Sequence, residues 1–366
     1  MYSNCNSVLH GQRGATLVLA LIVVLIVVAL ATRIGKDYFV LQRTLEYQNE
    51  QDQARAYLRG AEGVAKQALL LDLQSGSTTD SAVEPWAKVQ KVPLTEGLLT
   101  VCLLDLQSRL NLNDLGAPAA NGYSAAQKRF IRLLQVVQPE HPLDAASATA
   151  IANAVFDWVD ADNESRNPGG AEAIDYLEMG RDYRPANQGF TSVSELALVA
   201  GIDADLAAAL TPFVTVWGNG TLNVNTADSK LLWSAQAGMN DDDKSNDNEP
   251  VMLRTLGSSD TLRPLTPEAA HLIADVRTHS GAVFKSLSAF RQLPLAQVPW
   301  DLDGLDVASD YFQMSADMQT GPHHYRLLSV LARTRDAANR PQVTVKSRTW
   351  LTGTTSGGID CAAPYQ

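Results

Sequence analysis

The apolar residues of this chain form one long uninterrupted run near the N-terminus and many short clusters after it. The run extends from Ala15 to Thr32 without a charged residue. At about 1.5 Å of rise per residue, a helix of this length comes close to spanning the hydrocarbon layer of a membrane. No later segment of the sequence approaches that length, so the pattern predicts a single membrane-spanning helix at 15–32.

Helical periodicity continues beyond Thr32, where apolar residues recur at steps of three, four or their multiples as far as Leu69. The first proline of the chain is Pro85, so no proline interrupts a helix before that point. The pattern predicts one helix from about Ala15 to Leu73, apolar on every side in its first half and amphipathic in its second. Only the second half can be covered by a globular domain.

Strand-like segments lie at opposite ends of the rest of the chain. Gly97–Leu106 is an apolar run typical of a buried strand. Tyr325–Arg333 and Gln342–Trp350 flank the turn-like segment Asp336–Pro341, and valine alternates with polar residues in the second arm, which predicts an antiparallel hairpin. The simplest architecture is an α+β fold in which a small antiparallel sheet packs on the amphipathic half of the long helix.

A large, mostly helical insertion separates these strands. Within it, a theme of a polar turn, a short helix beginning at Ser or Thr, and an apolar stop with glycine recurs at 110–116, 190–202, 222–239 and 284–290. These segments resemble helix-hairpin-helix or SAM-like elements. The predicted organisation is a leader at 1–14, a transmembrane helix at 15–32, an α+β body at 33–110 and 312–366, and an inserted helical domain at 111–311.

The composition argues against catalysis and against nucleic-acid binding. A net charge of −11 and a pI near 5.0 disfavour non-specific binding to nucleic acid or anionic lipid, because both require a basic surface. The excess of acidic residues is compatible with binding of a divalent cation. The sequence has no nucleophile elbow, P-loop or dinucleotide-binding glycine motif, and its six histidines lack zinc-ligand spacing. We therefore expect no enzymatic activity.

A short polar leader precedes the apolar run and ends in Gln12-Arg13-Gly14. A secretory signal has its small-residue cleavage site after the apolar core, whereas here the glycine lies before it. The arrangement resembles the class III leader of type IV prepilins and pseudopilins, which a membrane peptidase cuts after the glycine. The resemblance implies cleavage between Gly14 and Ala15, with the helix kept on the mature protein. The alternative is an ordinary signal peptide cut after Ala29-Leu30-Ala31, which would remove the helix.

Segments in the middle of the chain resemble the K family of the type II secretion system, the large minor pseudopilins. They are LNLND at 110–114, FDWVDAD at 156–162, GAEAIDY at 170–176, YRPANQ at 183–188, SVSEL at 192–196 and LNVNT at 222–226. The resemblance implies a pilin-like α+β body with a large helical domain inserted between its strands. It further implies a single-pass inner-membrane protein with its C-terminal body in the periplasm. Such a protein lies at the pseudopilus tip, initiates assembly and supports protein export.

The same resemblance implies partners rather than a substrate: the I-type, J-type and H-type minor pseudopilins, the major pseudopilin and the prepilin peptidase. Position five of the mature chain is Leu19, where ordinary pilins and pseudopilins carry a glutamate that neutralises the α-amine of the subunit ahead. A subunit without this glutamate cannot pair with the α-amine of a subunit ahead of it. Its own α-amine at Ala15 can still pair with the glutamate of the subunit behind. Leu19 therefore favours a position at the filament tip; alternatively, it is one more lipid-facing residue.

A dense group of acidic residues lies in a loop rich in Gly, Asn and Pro. Calcium takes about six to eight hard oxygen ligands, and a flexible loop with alternating acids can wrap one ion. Ser165 and Ala171 stand at positions six and twelve of the EF-hand pattern, so the loop is not an EF-hand. Members of the resembled family bind calcium in the inserted domain, which supports a structural calcium ion here; a solvated acidic loop is the alternative. The predicted ligands are Asp160, Asp162, Glu164, Glu172 and Asp175.

Three further alternatives stay open. A second acidic group at 301, 303, 306 and 310 either caps helices or holds another ion, and the acidic run at 241–249 is expected to be solvated. Cys102 and Cys361, the cysteines outside the leader, either pair or stay separate thiols. Two other function classes are a type IV minor pilin, which predicts no large helical insertion, and a helix-hairpin-helix nucleic-acid-binding membrane protein, which the scarcity of basic residues near 222–239 disfavours.

Overall fold

The computed structural model describes residues 13–117, 122–235, 283–292 and 301–353. The chain divides into two compact units, Met1–Tyr57 and Leu58–Gln366. The long helix α1, Arg13–Gln74, begins in the first unit and ends in the second. The predicted single helix from about Ala15 to Leu73 is thus confirmed, because neither proline nor a capping residue interrupts its backbone hydrogen bonds.

In the first unit, α1 exposes apolar side chains on all sides. Leucine, isoleucine and valine side chains from Leu17 to Leu30 are each about half exposed or more. Among the described residues, one helix is long and apolar enough to cross a membrane, and its most apolar window has a mean hydropathy of 3.0. A surface of this kind is stable in lipid and unstable in water, which suits single-pass membrane anchoring.

The second unit mixes strands with short helices. Its strands are β1 (Gln90–Leu94), β2 (Gly97–Asp105), β3 (Leu110–Asn111), β4 (Val214–Thr215), β5 (Leu222–Asn223), β6 (Leu305–Asp306), β7 (Tyr311–Thr320), β8 (His323–Arg335) and β9 (Pro341–Gly353). Its described α-helices are α2 (Ala125–Val136), α3 (Ala145–Val159), α4 (Ala173–Glu178), α5 (Ala204–Leu210), α6 (Ser229–Ser234) and α7 (Leu287–Arg291). Short 3-10 helices lie at Pro85–Ala87, Leu106–Ser108, Leu112–Gly116, Val193–Leu198 and Thr211–Phe213.

Five strands form one antiparallel sheet in the order β1-β2-β7-β8-β9. The predicted strands are confirmed as β2, β8 and β9. Two strands were not predicted. The Pro93 of β1 marks it as an edge strand, and β7 alternates Phe312, Met314, Ala316 and Met318 on one face, a period-2 signal at the predicted end of the insertion.

The sheet packs on the second half of α1, as the amphipathic pattern predicts. Leu58, Ala61, Ala65 and Leu69 are buried along one stripe of the helix. Within the same contact, the carboxylate of Glu62 accepts hydrogen bonds from the hydroxyl of Ser329 on β8 at 2.7 Å and from Arg348 on β9 at 2.8 Å. Hydrogen bonds from Arg348 hold the pKa of Glu62 below its ordinary value.

Between β2 and β7, the described residues form short helices joined by loops, and one arrangement occurs twice. In the first copy, β3 at the beginning pairs in parallel with β4 at the end. In the second copy, β5 at the beginning pairs in parallel with β6 at the end. The amide of Asn113 donates to the carbonyls of Phe190 and Val216, and the amide of Asn225 likewise donates to those of Phe284 and Val307. The sequence theme therefore has a structural counterpart, while the predicted domain limits at 111 and 311 stay a prediction.

Candidate metal centre

The acidic loop connects helix α3 to helix α4. Helix α3 ends at Val159, with Asp160 as its C-cap, and α4 begins after Glu172, its N-cap. The loop returns close to α3 at Gly170, where a Cβ atom would lie 2.2 Å from Oδ2 of Asp157. Only glycine permits that approach, so the backbone brings the two ends of the loop together.

Three predicted ligands converge in this loop. Asp160, Asp162 and Glu172 each offer a carboxylate oxygen, and these atoms all lie within 4.8 Å of one another. Glu172 is only 5% exposed, and both of its carboxylate oxygens are buried without a hydrogen-bond partner. Oδ1 of Asp160 is buried and unpartnered as well. Buried carboxylate oxygens without donors are costly unless a cation compensates them.

The pKa values of the cluster also indicate that its carboxylates lack a compensating positive charge. Burial, followed by the neighbouring charges of Asp157 and Asp160, raises the pKa of Glu172 to about 7. Burial also raises the pKa of Asp157 to about 6 and that of Asp160 above its ordinary value. Arg166 is the cation paired with the cluster in the described chain, with Nη2 at 3.2 Å from Asp160 and Nε at 3.6 Å from Asp157. One guanidinium cannot neutralise this many carboxylates.

Two further oxygens were not among the predicted ligands. Oδ1 of Asp157 and Oδ1 of Asn187 are buried without hydrogen-bond partners. Asn187 adopts a left-handed backbone conformation with φ of 46°, and its amide nitrogen donates to the carbonyl of Asp162 at 2.5 Å. The same amide partly offsets the rise in the pKa of Glu172, although no hydrogen bond of normal geometry joins the two side chains. No sequence spacing links Asn187 to the loop, because it returns to the site only through the fold.

The other two predicted ligands lie outside the convergent cluster. Glu164 is exposed, and its backbone amide donates to Asp162 at 2.9 Å. Oδ2 of Asp175 accepts from the backbone amide of Glu172 and from the hydroxyl of Ser165, both at 2.7 Å. These hydrogen bonds hold the pKa of Asp175 below its ordinary value and make it a cap of α4.

A second convergent acidic group, Asp72, Asp80 and Glu84, is already compensated by a protein cation. Arg333 forms ion pairs at 2.7 Å with both Asp72 and Asp80, and its side chain is almost fully buried. Such a guanidinium supplies the positive charge that a metal ion would otherwise supply. This group therefore differs from the cluster around Glu172.

Most of the acidic side chains at 301–310 accept hydrogen bonds from groups of the protein. Asp301 and Asp306 accept from backbone amides close in sequence, and Asp310 accepts from the amide of Asn219 at 2.8 Å. The carbonyls of Asp301, Asp303 and Gly304 accept from the buried Arg129. These contacts give the segment a structural role, as turns and as a hydrogen-bonded link to distant parts of the chain. The acidic run at 241–249 lies outside the described residues.

The remaining candidates are the residues near the N-terminus and the two cysteines. Gly14 and Ala15 fall in the first turn of α1, and Leu19 follows with its side chain 66% exposed. Cys102 on β2 is disulfide-bonded, whereas Cys361 lies outside the described residues.

Comparison with known proteins agrees with this architecture. The sequence profile described as "Type II secretion system (T2SS), protein K" matches residues 108–219, which contain the acidic loop. A type II secretion system protein K from Aeromonas hydrophila is 28% identical over 333 residues, covering 89% of this chain and 94% of the relative. The protein K of Dickeya chrysanthemi is 32% identical over 260 residues, covering 59% of this chain and 69% of the relative.

The fold has a solved counterpart in the crystal structure of the GspK–GspI–GspJ complex from the enterotoxigenic Escherichia coli type 2 secretion system. That chain matches with a TM-score of 0.61 and 24% identity, covering 84% of this chain and 98% of its own length. The shared fold adds to the sequence match along most of the chain. With an apolar N-terminal helix, a five-stranded sheet and the matching helical segment in one polypeptide, this chain belongs to the type II secretion system protein K family.

Proposed function

We propose that this chain, a minor pseudopilin of the type II secretion system, caps the tip of the pseudopilus, initiates its assembly and supports protein export. Its single helix anchors it in the inner membrane before assembly, and its body lies in the periplasm. The I-type and J-type minor pseudopilins are its direct neighbours, the H-type and major subunits follow, and the prepilin peptidase processes it. The proposed role is assembly, so no residue of the chain is assigned to catalysis.

The main support for the tip position is that residue 19 is a leucine and has no carboxylate. Leu19 lies on a continuous helix at the fifth position after the proposed cleavage site, is 66% exposed, and stands in a run without a charged residue. A buried α-amine of the subunit ahead would find no carboxylate at this position and would cost several kcal/mol. The amine of Ala15 is still available to a following subunit, so growth proceeds in one direction only.

Immunogold labelling of overproduced pseudopili tests this role. The wild-type protein is expected at filament ends, and N-terminal sequencing is expected to give Ala15 as the first residue. If Leu19 confines the subunit to the tip, Leu19→Glu adds labelling along the shaft. If only filament ends are labelled in both strains, the size of the helical insertion, and not Leu19, keeps the subunit at the tip. Labelling along the shaft in the wild type would refute the proposal, as would N-terminal sequencing that finds Thr32 as the first residue.

We propose further that the loop binds one structural calcium ion through Asp160, Asp162 and Glu172. The unpartnered oxygens of Asp157 and Asn187 extend the set of hard oxygen donors around them. Calcium fits such an irregular, oxygen-only set better than magnesium, which demands near-octahedral geometry and keeps its waters. The ion supplies positive charge to a cluster that Arg166 alone leaves negative, and it has no chemical step to perform.

Calorimetric titration of the purified mature chain with calcium tests this site. Wild type is expected to bind one ion, and replacing Asp160 and Asp162 by Ala is expected to abolish binding. An Asp301→Ala variant is the matched control, because that carboxylate caps a local turn and is expected to leave the affinity unchanged. Unchanged calcium affinity in the double variant would place the ion elsewhere.

A further inference from the structure

The helical part of the chain buries its large apolar side chains with one local exception. Among the described residues between 106 and 309, the exposed large apolar side chains all belong to one stretch around α4, and we call this set the α4 patch. An isolated exposed leucine needs no explanation, whereas several such side chains in one stretch mark a surface that another molecule covers. The members of the α4 patch are Ile174, Leu177, Met179, Tyr183 and Leu198.

The geometry of α4 produces one half of the patch. Ile174 and Leu177 lie three residues apart and therefore on the same face of the helix, and each is 71% exposed. Tyr176 points away from them and is fully buried, with its ring centroid 5.9 Å from that of Trp158. The inner face of α4 is thus held by the core, and its apolar outer face is left to solvent.

The turn after α4 contributes the other half. Gly180, in a left-handed conformation with φ of 73°, ends the helix, and the hydroxyl of Tyr183 then donates to the carbonyl of Leu198 at 2.9 Å. The guanidinium of Arg181 donates to the same carbonyl at 2.5 Å and lies 5.7 Å from the centre of the Tyr183 ring. These contacts fix the turn, and they engage the charge of Arg181 within the protein.

The charged residues that border the patch are mostly acidic. Glu178 and Asp182 alternate with patch residues along the chain, and both are exposed. The start of α5 lies close to α4, because the backbone amide of Ala200 donates to the hydroxyl of Tyr176 at 3.0 Å. All but one of the exposed charged residues in the described stretch 172–205 are acidic: Glu178, Asp182, Arg184, Asp203 and Asp205.

The apolar centre and the acidic border together define what can bind. A second copy docking patch to patch would bring like charges together, and an anionic lipid surface or a nucleic acid would be repelled. We propose that the α4 patch binds a segment of another protein in which apolar side chains are flanked by lysine or arginine. The apolar side chains cover Ile174 and Leu177, and the cations face Glu178 and Asp182. This contact needs neither a bound ion nor a position at the filament tip.

Photocrosslinking in cells that assemble the whole secretion system tests this surface. The photoreactive residue benzoylphenylalanine takes the place of Ile174, and mass spectrometry maps the crosslinked residue of the partner. The expected product joins this chain to a segment of a different protein that carries lysine or arginine next to apolar residues. A crosslink to a lipid, to a second copy of this chain or to an acidic segment would overturn the proposal, as would the absence of any crosslink.

Charge reversal distinguishes this contact from a chance encounter. Glu178→Lys is expected to lower the crosslink yield about fivefold or more, and changing the mapped cation of the partner to glutamate is expected to restore it. Glu140→Lys is the matched control, because Glu140 is exposed and precedes α3 at the end opposite to the acidic loop. Leu177→Ser is likewise expected to lower the yield, whereas Val64→Ser, at a side chain of the same 71% exposure on α1, leaves it unchanged. Equal yields in Glu178→Lys and wild type, or an equal loss in Glu140→Lys, would overturn the proposal.

Discussion

Replacing Glu172 by Gln changes the stability of the protein in opposite directions with and without calcium. In the calcium-free protein, the pKa of Glu172 rises from 4.5 to about 7, mainly through burial. At about 1.4 kcal/mol per unit, holding this carboxylate ionised costs up to about 3 kcal/mol of folding free energy above pH 7. Glu172→Gln removes that cost. When calcium is bound, the same substitution removes a ligand and is expected to destabilise the protein.

The pH dependence follows from the direction of the shift. Because the folded-state pKa of Glu172 lies above the unfolded value, the folded protein binds the extra proton between about pH 4.5 and 7. The stability of the calcium-free wild type therefore falls as the pH rises through this window. The raised pKa values of Asp157, about 6, and of Asp160 act in the same direction. Calcium stabilises the ionised carboxylates, so saturating calcium is expected to abolish this fall.

Thermal melting of wild type and Glu172→Gln at pH 5 and pH 8, each with calcium or with chelator, measures the effect. With chelator at pH 8, the variant is expected to melt up to about 10 °C above wild type, whereas at pH 5 the difference falls to about 3 °C or less. With calcium at pH 8, wild type is expected to melt higher. Glu164→Gln is the matched control, because Glu164 is exposed and lies outside the cluster. A wild type insensitive to calcium, or a variant destabilised in both conditions, would refute the site.

Three further predictions concern the calcium loop, the buried Arg333 and the acidic net charge. Gly170→Ala is expected to weaken calcium binding at least tenfold by calorimetry, since its Cβ would lie 2.2 Å from Asp157, whereas Gly63→Ala, in open space on α1, leaves binding unchanged. Arg333→Met leaves Asp72 and Asp80 without their cation and is expected to cost about 3–5 kcal/mol in chemical denaturation; a loss under 1 kcal/mol would contradict that pairing. The purified protein is expected to give no gel shift with DNA at physiological salt, and a salt-sensitive micromolar shift would revive the nucleic-acid alternative.

Elements with a strong local period were predictable from the sequence. The long helix and the terminal hairpin depend mainly on contacts between residues close in sequence, which the spacing of apolar residues records directly. The strand β2 pairs with the distant β7, but its continuous apolar run by itself indicates a buried strand. The strand β1 was missed because Pro93 and exposed polar residues hide its period. The strand β7 was missed although its apolar residues alternate, because it begins at the predicted end of the helical insertion.

The sequence by itself determined the acidic composition of the loop, the apolar anchor and the segments that resemble protein K. It did not determine which carboxylates meet. Asp175 caps the N-terminus of α4 by accepting a hydrogen bond from the backbone amide of Glu172. Glu164 is exposed to solvent, and Asn187 reaches the loop from a later part of the chain. Ligand geometry depends on how α3 and α4 pack, and packing brings together atoms whose separation along the chain carries no periodic signal. Burial of Glu172, which raises its pKa, likewise exists only once those helices have closed over the loop.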